Sequence, residues 1–152
     1  ILMSTMHTPG VLVAIDLVAS RHPLIAVNPG WSRYDTLSYT PGVIAGKTLY
    51  MSGFASLDMQ TQEATHEGDI IAQAQSTYEA IIMVLKEAGV GPEALINTVE
   101  YVVPSGLGDY RGVAKVRESL LKRPWPTSTG AICHSLLRPE FLLEVFPLAV
   151  LP

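Results

Sequence analysis

The chain has 152 residues, 48% of them hydrophobic and only 16% charged, with a formal net charge of −4. That length allows one domain with a sizeable core. A charged share below the usual ~25% predicts that another copy of the chain covers some apolar surface.

With a pI near 5.5 and no Lys/Arg cluster, the electrostatic footprint of a nucleic-acid binder is absent. No apolar run approaches the roughly 18 residues of a membrane span. The single cysteine, Cys133, excludes an intrachain disulfide and predicts a reducing, cytoplasmic setting. The opening Ile1-Leu2-Met3-Ser4-Thr5-Met6 lacks the basic and long apolar regions of a signal peptide.

In chain order, Val11 to Ala19 reads as a buried strand. It can be laid without gaps on the C-terminal stretch, His7–Ile15 on Leu137–Val145. Either two short apolar strands match by coincidence, or residues 1–20 are the tail of a preceding repeat. Residues 21–36, with Asn28-Pro29-Gly30-Trp31, read as a loop. Strands follow at Thr36 to Ile44 and Thr48 to Ser52, joined by the hairpin-length Ala45-Gly46-Lys47. Asp58 to Glu67 is polar and reads as an exposed loop.

Ile71, Ala74, Tyr78, Ile81, Ile82, Leu85 and Ala88 keep helical spacing, with Gln73, Gln75, Glu79 and Lys86 on other faces. Gly89 and Gly91-Pro92 stop this helix. Leu95 to Val103 reads as a strand, about Asp109 to Lys122 as a second helix, and Thr127 to Cys133 as another strand. The last strand lies within Phe141 to Val150, where nearly every residue is apolar, so both of its faces should be covered. The result is a 1–33 extension bearing one strand, then a 34–152 domain of order β-β-α-β-α-β-β. Its class is α+β: a mixed sheet with two long helices on one face.

Period-2 alternation puts Leu142, Glu144, Phe146, Leu148 and Val150 on one face of the last strand. Glu144 is thus a carboxylate in a greasy row, which needs a partner, a proton or a chemical task. Backbone N–H groups or an interface partner would satisfy it, and His134 and Arg138 stand nearby in sequence. Other constellations are weak. Gly106-Leu107-Gly108 with Gly112 has its third glycine one residue late for a dinucleotide loop and reads better as a turn. His7, His22, His66 and His134 are scattered without metal-ligand spacing, and neither Ser52 nor Ser128 sits in a G-x-S-x-G elbow. No metal or cofactor is expected.

Several stretches together resemble the Rid/YjgF reactive-intermediate deaminases. Ser38-Tyr39-Thr40-Pro41-Gly42-Val43-Ile44-Ala45-Gly46 and Leu49-Tyr50-Met51-Ser52-Gly53 are similar to the family's Y-S-P-A-V…A-G…V-x-V-S-G-Q opening. Gly68-Asp69-Ile70 through Gly89 resembles its G-D-I-x-x-Q helix, and Ile96 to Val102 its third strand. Leu137-Arg138-Pro139-Glu140-Phe141-Leu142-Leu143-Glu144-Val145 resembles its closing L-x-x-P-x-x-L-V-E-I-E. The match covers roughly residues 34–150 in the family's order.

The resemblance implies a chorismate-mutase-like subunit assembled as a homotrimer, with clefts between subunits where enamines or imines are hydrolysed to ketones and ammonia. It implies a small-molecule substrate, and no nucleic acid or membrane partner. The family's glutamate falls on Glu144 as general acid/base. Tyr39, Ser52 and Gly53 fall on pocket positions, and Phe54 replaces the usual Gln. The arginine that grips the substrate carboxylate falls on Ser128, or on Thr129 if the alignment shifts by one. The next pocket residue is Gly130, and a helix asparagine is replaced by Ala114. Serine cannot copy a bidentate arginine, so activity on 2-imino acids is not implied. Ser128, Thr129 or His134 would instead bind a less acidic or larger substrate. A non-catalytic binding or scaffold trimer is the second reading. Ribonuclease activity, sometimes ascribed to the family, fits poorly with an acidic pI.

Overall fold

A computed structural model describes residues 1–3 and 8–152. Ser4 to His7 lie outside the described residues, and with them the first position of the internal match. The strands are β1 (Leu24–Val27), β2 (Gly42–Ala45), β3 (Thr48–Met51), β4 (Leu95–Val102), β5 (Thr127–Ile132) and β6 (Leu143–Val150). The helices are α1 (Ile70–Glu87) and α2 (Val113–Leu120). The strands form one sheet in the order β1-β2-β3-β6-β4-β5. All neighbours are antiparallel except β4 and β5, which the α2 crossover joins in parallel.

Local chemistry accounts for the element ends. Gly46 takes φ +62° in the β2–β3 hairpin, a left-handed conformation that costs glycine little. The Asp69 carboxylate caps α1 by accepting from the Ile71 and Ala72 N–H groups, both at 3.0 Å. At the other end Gly89 takes φ +79°, and the Val90 N–H returns to the Leu85 carbonyl at 3.0 Å.

One sheet face is filled by the helices. Leu143, Val145 and Ala149 of β6 and Val102 of β4 are buried there with Tyr78, Ile81, Val84 and Leu85 of α1. The other face is not covered within one chain. There Glu144 and Leu148 are half-buried, while Phe146 and Val150 are exposed. The expectation that both faces of the last strand are covered therefore fails for the isolated subunit.

Four further expectations are corrected. Val11 to Ala19 forms no strand and is exposed, with Leu12 at 95% and Leu17 at 89%. A strand needs a neighbour as well as β-propensity, and the edge of β2 is taken by Leu24–Val27. That short run, inside the segment read as a loop, is bracketed by Pro23 and Asn28-Pro29-Gly30, whose turn chemistry hides it from a pattern reading. The second helix is also shorter than expected: Tyr110–Gly112 is a 3-10 turn and α2 has eight residues. On α1 the buried stripe runs through Ile70, Gln73, Ala74 and Thr77, whereas Ile71 is 41% exposed.

The glycines of the Gly106/Gly112 segment serve packing. A Cβ on Gly106 would lie 2.8 Å from the Ile70 Cδ1, and one on Gly112 would lie 2.5 Å from the Ile71 Cδ1. Both let the loop close on the start of α1.

Candidate functional site

Two carboxylates stand on neighbouring central strands, one on each side of the sheet. In the β4–β6 register, Tyr101 lies opposite Glu144 and Glu100 opposite Val145. One residue of offset therefore sends Glu144 to the open face and Glu100 to the helix face.

Glu144 lines a cleft of about 370 Å³ together with Tyr39, Ser52, Gly53, Arg33 and Arg138. Three contacts assemble it. First, Phe54 and Val145 exchange backbone hydrogen bonds of 2.9 and 2.8 Å, which lays Gly53 beside Glu144. A Cβ on Gly53 would lie 2.6 Å from the Glu144 Oε1 and 2.8 Å from the Phe146 ring, so only glycine admits the carboxylate so close to the chain. Second, the Ser52 hydroxyl donates to the Thr40 carbonyl at 2.7 Å, and the Ser52 N–H donates to the Pro41 carbonyl at 2.9 Å. These bonds bring the Tyr39 loop to the rim.

The third contact comes from Gln73, fully buried on α1. Its Nε2 donates to the Glu140 carbonyl at 2.8 Å and its Oε1 accepts from the Leu142 N–H at 2.8 Å. It thereby fixes the turn that leads into Glu144.

Burial pushes the Glu144 carboxyl above its ordinary value, and the chain's amino terminus opposes this. Among the described residues no side-chain hydrogen bond or ion pair engages its carboxylate. A desolvated carboxylate at a cleft wall, without a structural partner, is suited to moving protons.

Glu100 is the opposite case. It is fully buried and forms an ion pair with Arg117 of α2 at 2.7 Å. The Tyr110 hydroxyl donates to its Oε2 at 2.5 Å, and the Tyr78 hydroxyl donates to its Oε1. Burial first, and then the Glu100 carboxylate, push the Tyr110 hydroxyl up to about 12 and raise Tyr78 further. Burial works against the Arg117 cation, but the bond to Glu100, the Glu100 charge and the two tyrosines together outweigh it and raise the guanidinium. This satisfied network joins α1, α2 and β4 and was not anticipated. A period-2 reading of Thr98, Glu100 and Val102 would have found it, as it found Glu144.

Of the sequence-predicted site residues, Glu144, Tyr39, Ser52 and Gly53 come together in this cleft. The others do not join them within one subunit. Phe54 is 2% exposed and packs edge-on to Trp31 in the core, ring centroids 6.4 Å apart. An aromatic in place of Gln therefore serves the interior. Ser128 pairs with Thr98 and Gly130 with Glu100 in the parallel register, which places both on the helix face. There Arg117 donates to the Ser128 hydroxyl at 3.2 Å, and a Cβ on Gly130 would lie 2.9 Å from the Tyr110 hydroxyl. Thr129, paired with Val99, is on the open side. His134 is exposed, and its N–H donates to the Leu2 carbonyl at 3.0 Å. The cleft instead gains Arg33, Tyr34, Gln62 and Arg138. Of these only Arg138 had drawn notice in the sequence.

Among the described residues no cluster of His, Cys, Asp and Glu is arranged to hold a metal ion, and no helix is long and apolar enough to cross a membrane. His7 lies outside that description.

The profile of the endoribonuclease L-PSP family matches residues 33–151. A RutC family protein of Synechocystis is 25% identical over 114 residues, covering 75% of this chain and 86% of that protein. Among solved structures, the Yersinia pestis protein YyfA of the Rid family superposes with a TM-score of 0.73 at 17% identity, covering 85% of this chain and all of that one. TdcF of E. coli, solved with bound serine, gives a TM-score of 0.66 at 21% identity, with coverages of 76% and 90%.

Proposed function

Since the chain belongs to the Rid/YjgF family, whose profile carries the name endoribonuclease L-PSP, we propose that it hydrolyses a small enamine- or imine-type metabolite, with Glu144 as general acid/base. The observation that carries this reading is the Glu144 carboxylate: desolvated, held against Gly53, and free of side-chain partners among the described residues.

As a water oxygen bonds to the imine carbon, the carboxylate accepts a proton from that water while the imine nitrogen takes one from solvent. The resulting carboxylic acid then protonates the amine nitrogen of the carbinolamine. The C–N bond breaks, its electron pair leaves with ammonia, and the hydroxyl oxygen becomes a carbonyl as its proton passes to solvent. The sum is imine plus water to ketone plus ammonia. Positioned proton transfer of this kind contributes ~10²–10⁴-fold. A relative solved with bound serine supports a ligand of amino-acid size.

In this reading the protein is a cytoplasmic homotrimer. Copies of the chain cover the exposed apolar face of β6 with Phe146 and Val150, and residues on the open side of β5, Thr129 among them, approach a neighbour's cleft. A net charge of −4 argues against an RNA substrate in spite of the profile's name.

The test is ammonia release from freshly generated imines by wild type and Glu144→Gln. The variant is expected to lose ~10²–10⁴-fold in turnover with its fold intact by circular dichroism. Unchanged turnover would falsify the mechanism. The β5 positions Thr127, Thr129 and Ala131 carry no charge, which favours a second reading: a trimer that binds carbonyl metabolites without reacting. Ligand-dependent thermal stabilisation with no ammonia release would select that one.

A further inference from the structure

The Glu144 cleft carries two cations on its wall. Arg33 and Arg138 both line it, and both are half-buried. Among the described residues the ion pair formed is that of Arg117 with Glu100, on the other side of the sheet. Glu140, two residues from Arg138, makes no ion pair with it.

Neutral groups hold Arg138 instead. Its Nη1 donates to the Gln62 carbonyl at 2.7 Å, and its Cζ lies 5.8 Å from the centre of the Phe141 ring. The Gln62 carbonyl is itself presented by an ordered turn. Gln62 sits at φ +65°, its N–H donates to the Asp58 carbonyl at 2.8 Å, and the Asp58 carboxylate accepts from Gln60 and Thr61 at 2.8 and 2.7 Å. A left-handed non-glycine residue persists only where its surroundings over-determine it.

The guanidinium is thus fixed through one of its five N–H groups, leaving the rest of the fork without a counter-charge. A half-buried cation of that kind, facing a cleft, favours a carboxylate, which it can hold through two parallel hydrogen bonds. Two guanidiniums against the single Glu144 carboxylate leave the cleft with a net positive charge on a net negative protein.

We propose that Arg138, assisted by Arg33, binds the carboxylate of the substrate. The anion grip would then come from the loop before β6 and from Arg33 on the Ser32–Asp35 3-10 turn, while β5 offers only uncharged side chains. The substrate is accordingly a small imine or enamine bearing a carboxylate, its anionic end at Arg138 and its C=N at Glu144. This assignment rests on the reading that Glu144 performs the reaction, but the anion site can be measured without turnover.

Ligand-observed NMR titration of the full chain with pyruvate, and with acetone as its uncharged counterpart of similar size, tests it. Wild type is expected to bind pyruvate at least ten-fold more tightly than acetone. Arg138→Gln removes that preference, Arg138→Lys restores part of it, and Glu144→Gln keeps it or strengthens it by removing a like charge. Should Arg138→Gln fail to fold, Arg33→Gln and the wild-type pyruvate-to-acetone ratio still decide. Equal affinities in wild type, or pyruvate binding unmoved by Arg138→Gln and Arg33→Gln, overturns the proposal. If Glu144→Gln keeps full turnover while Arg138→Gln loses pyruvate, the reaction mechanism falls and the anion site stands. If Glu144→Gln loses turnover while Arg138→Gln binds pyruvate normally, only the anion site falls.

Discussion

Glu100 and Glu144 are the same residue on adjacent strands, one register step apart, and their surroundings are opposites. Glu100 is sealed beneath the helices with a cation and two phenols. Glu144 faces a cleft beside Gly53 and has no side-chain partner for its carboxylate among the described residues. A carboxylate given every partner it needs holds structure together, and one left without partners is available to a ligand. The sheet's pleat assigns these roles, because a single-residue shift exchanges the faces.

The largest expected effect tests the structural half of that contrast. Glu100→Ala strands a partly buried guanidinium and two tyrosine hydroxyls, and urea denaturation should show a loss of ~3–5 kcal/mol. Combining Glu100→Leu with Arg117→Met should recover the share due to the stranded guanidinium, leaving the cost of the two tyrosine hydroxyls. A cost below ~1 kcal/mol for Glu100→Ala would mean the network is not a structural element.

Next in size is Gly53→Ala. The new methyl meets movable groups, the tip of Glu144 and the edge of Phe146, so the melting temperature should change little. The carboxylate, however, is displaced, and turnover should fall ~10²-fold, as misplacement of a reacting group by about 1 Å can produce. Normal rates in this variant would show that the carboxylate's position against the chain is unimportant.

Gln73→Leu should cost ~1–3 kcal/mol for each backbone group it leaves unpaired. Because those groups lie at His66, Glu140 and Leu142, hydrogen exchange should quicken in the turn before β6 and leave β4 unaffected. Exchange that quickens evenly across the sheet would argue against a local brace.

The smallest effect is the pH dependence of stability. Burial holds the folded Glu144 carboxyl above its ordinary 4.5, so between that value and the raised one the folded chain keeps a proton that the unfolded chain has lost. Stability should therefore decline as pH rises through this window and level off above it. Glu144→Gln should remove that slope, as melting temperatures measured across pH would show.

Much of this arrangement was legible in the sequence. Alternation around Glu144 placed it on one face of a strand, and the flanking motifs brought Tyr39, Ser52 and Gly53 to it. Pairing was not legible. Val11 to Ala19 has the composition of a strand but no neighbour, whereas Leu24 to Val27 has a neighbour and is too short to stand out. Polarity misled as well: Gln73 reads as a surface residue until the backbone of a loop 67 residues away meets its amide. On β5 the ambiguity between Ser128 and Thr129 was a matter of parity, and only the register with β4 resolves which one faces the helices.

β6 lies between β3 and β4, and this position has a consequence for how the fold is completed. Until residues 143–150 are in place, the β1-β2-β3 meander and the β4-α2-β5 unit are separate half-sheets, each with an unpaired inner edge able to template aggregation. A chain interrupted before Leu143 would lack the keystone that joins them and, with it, Glu144. The strand that closes the sheet is thus also the one that carries the acid/base candidate.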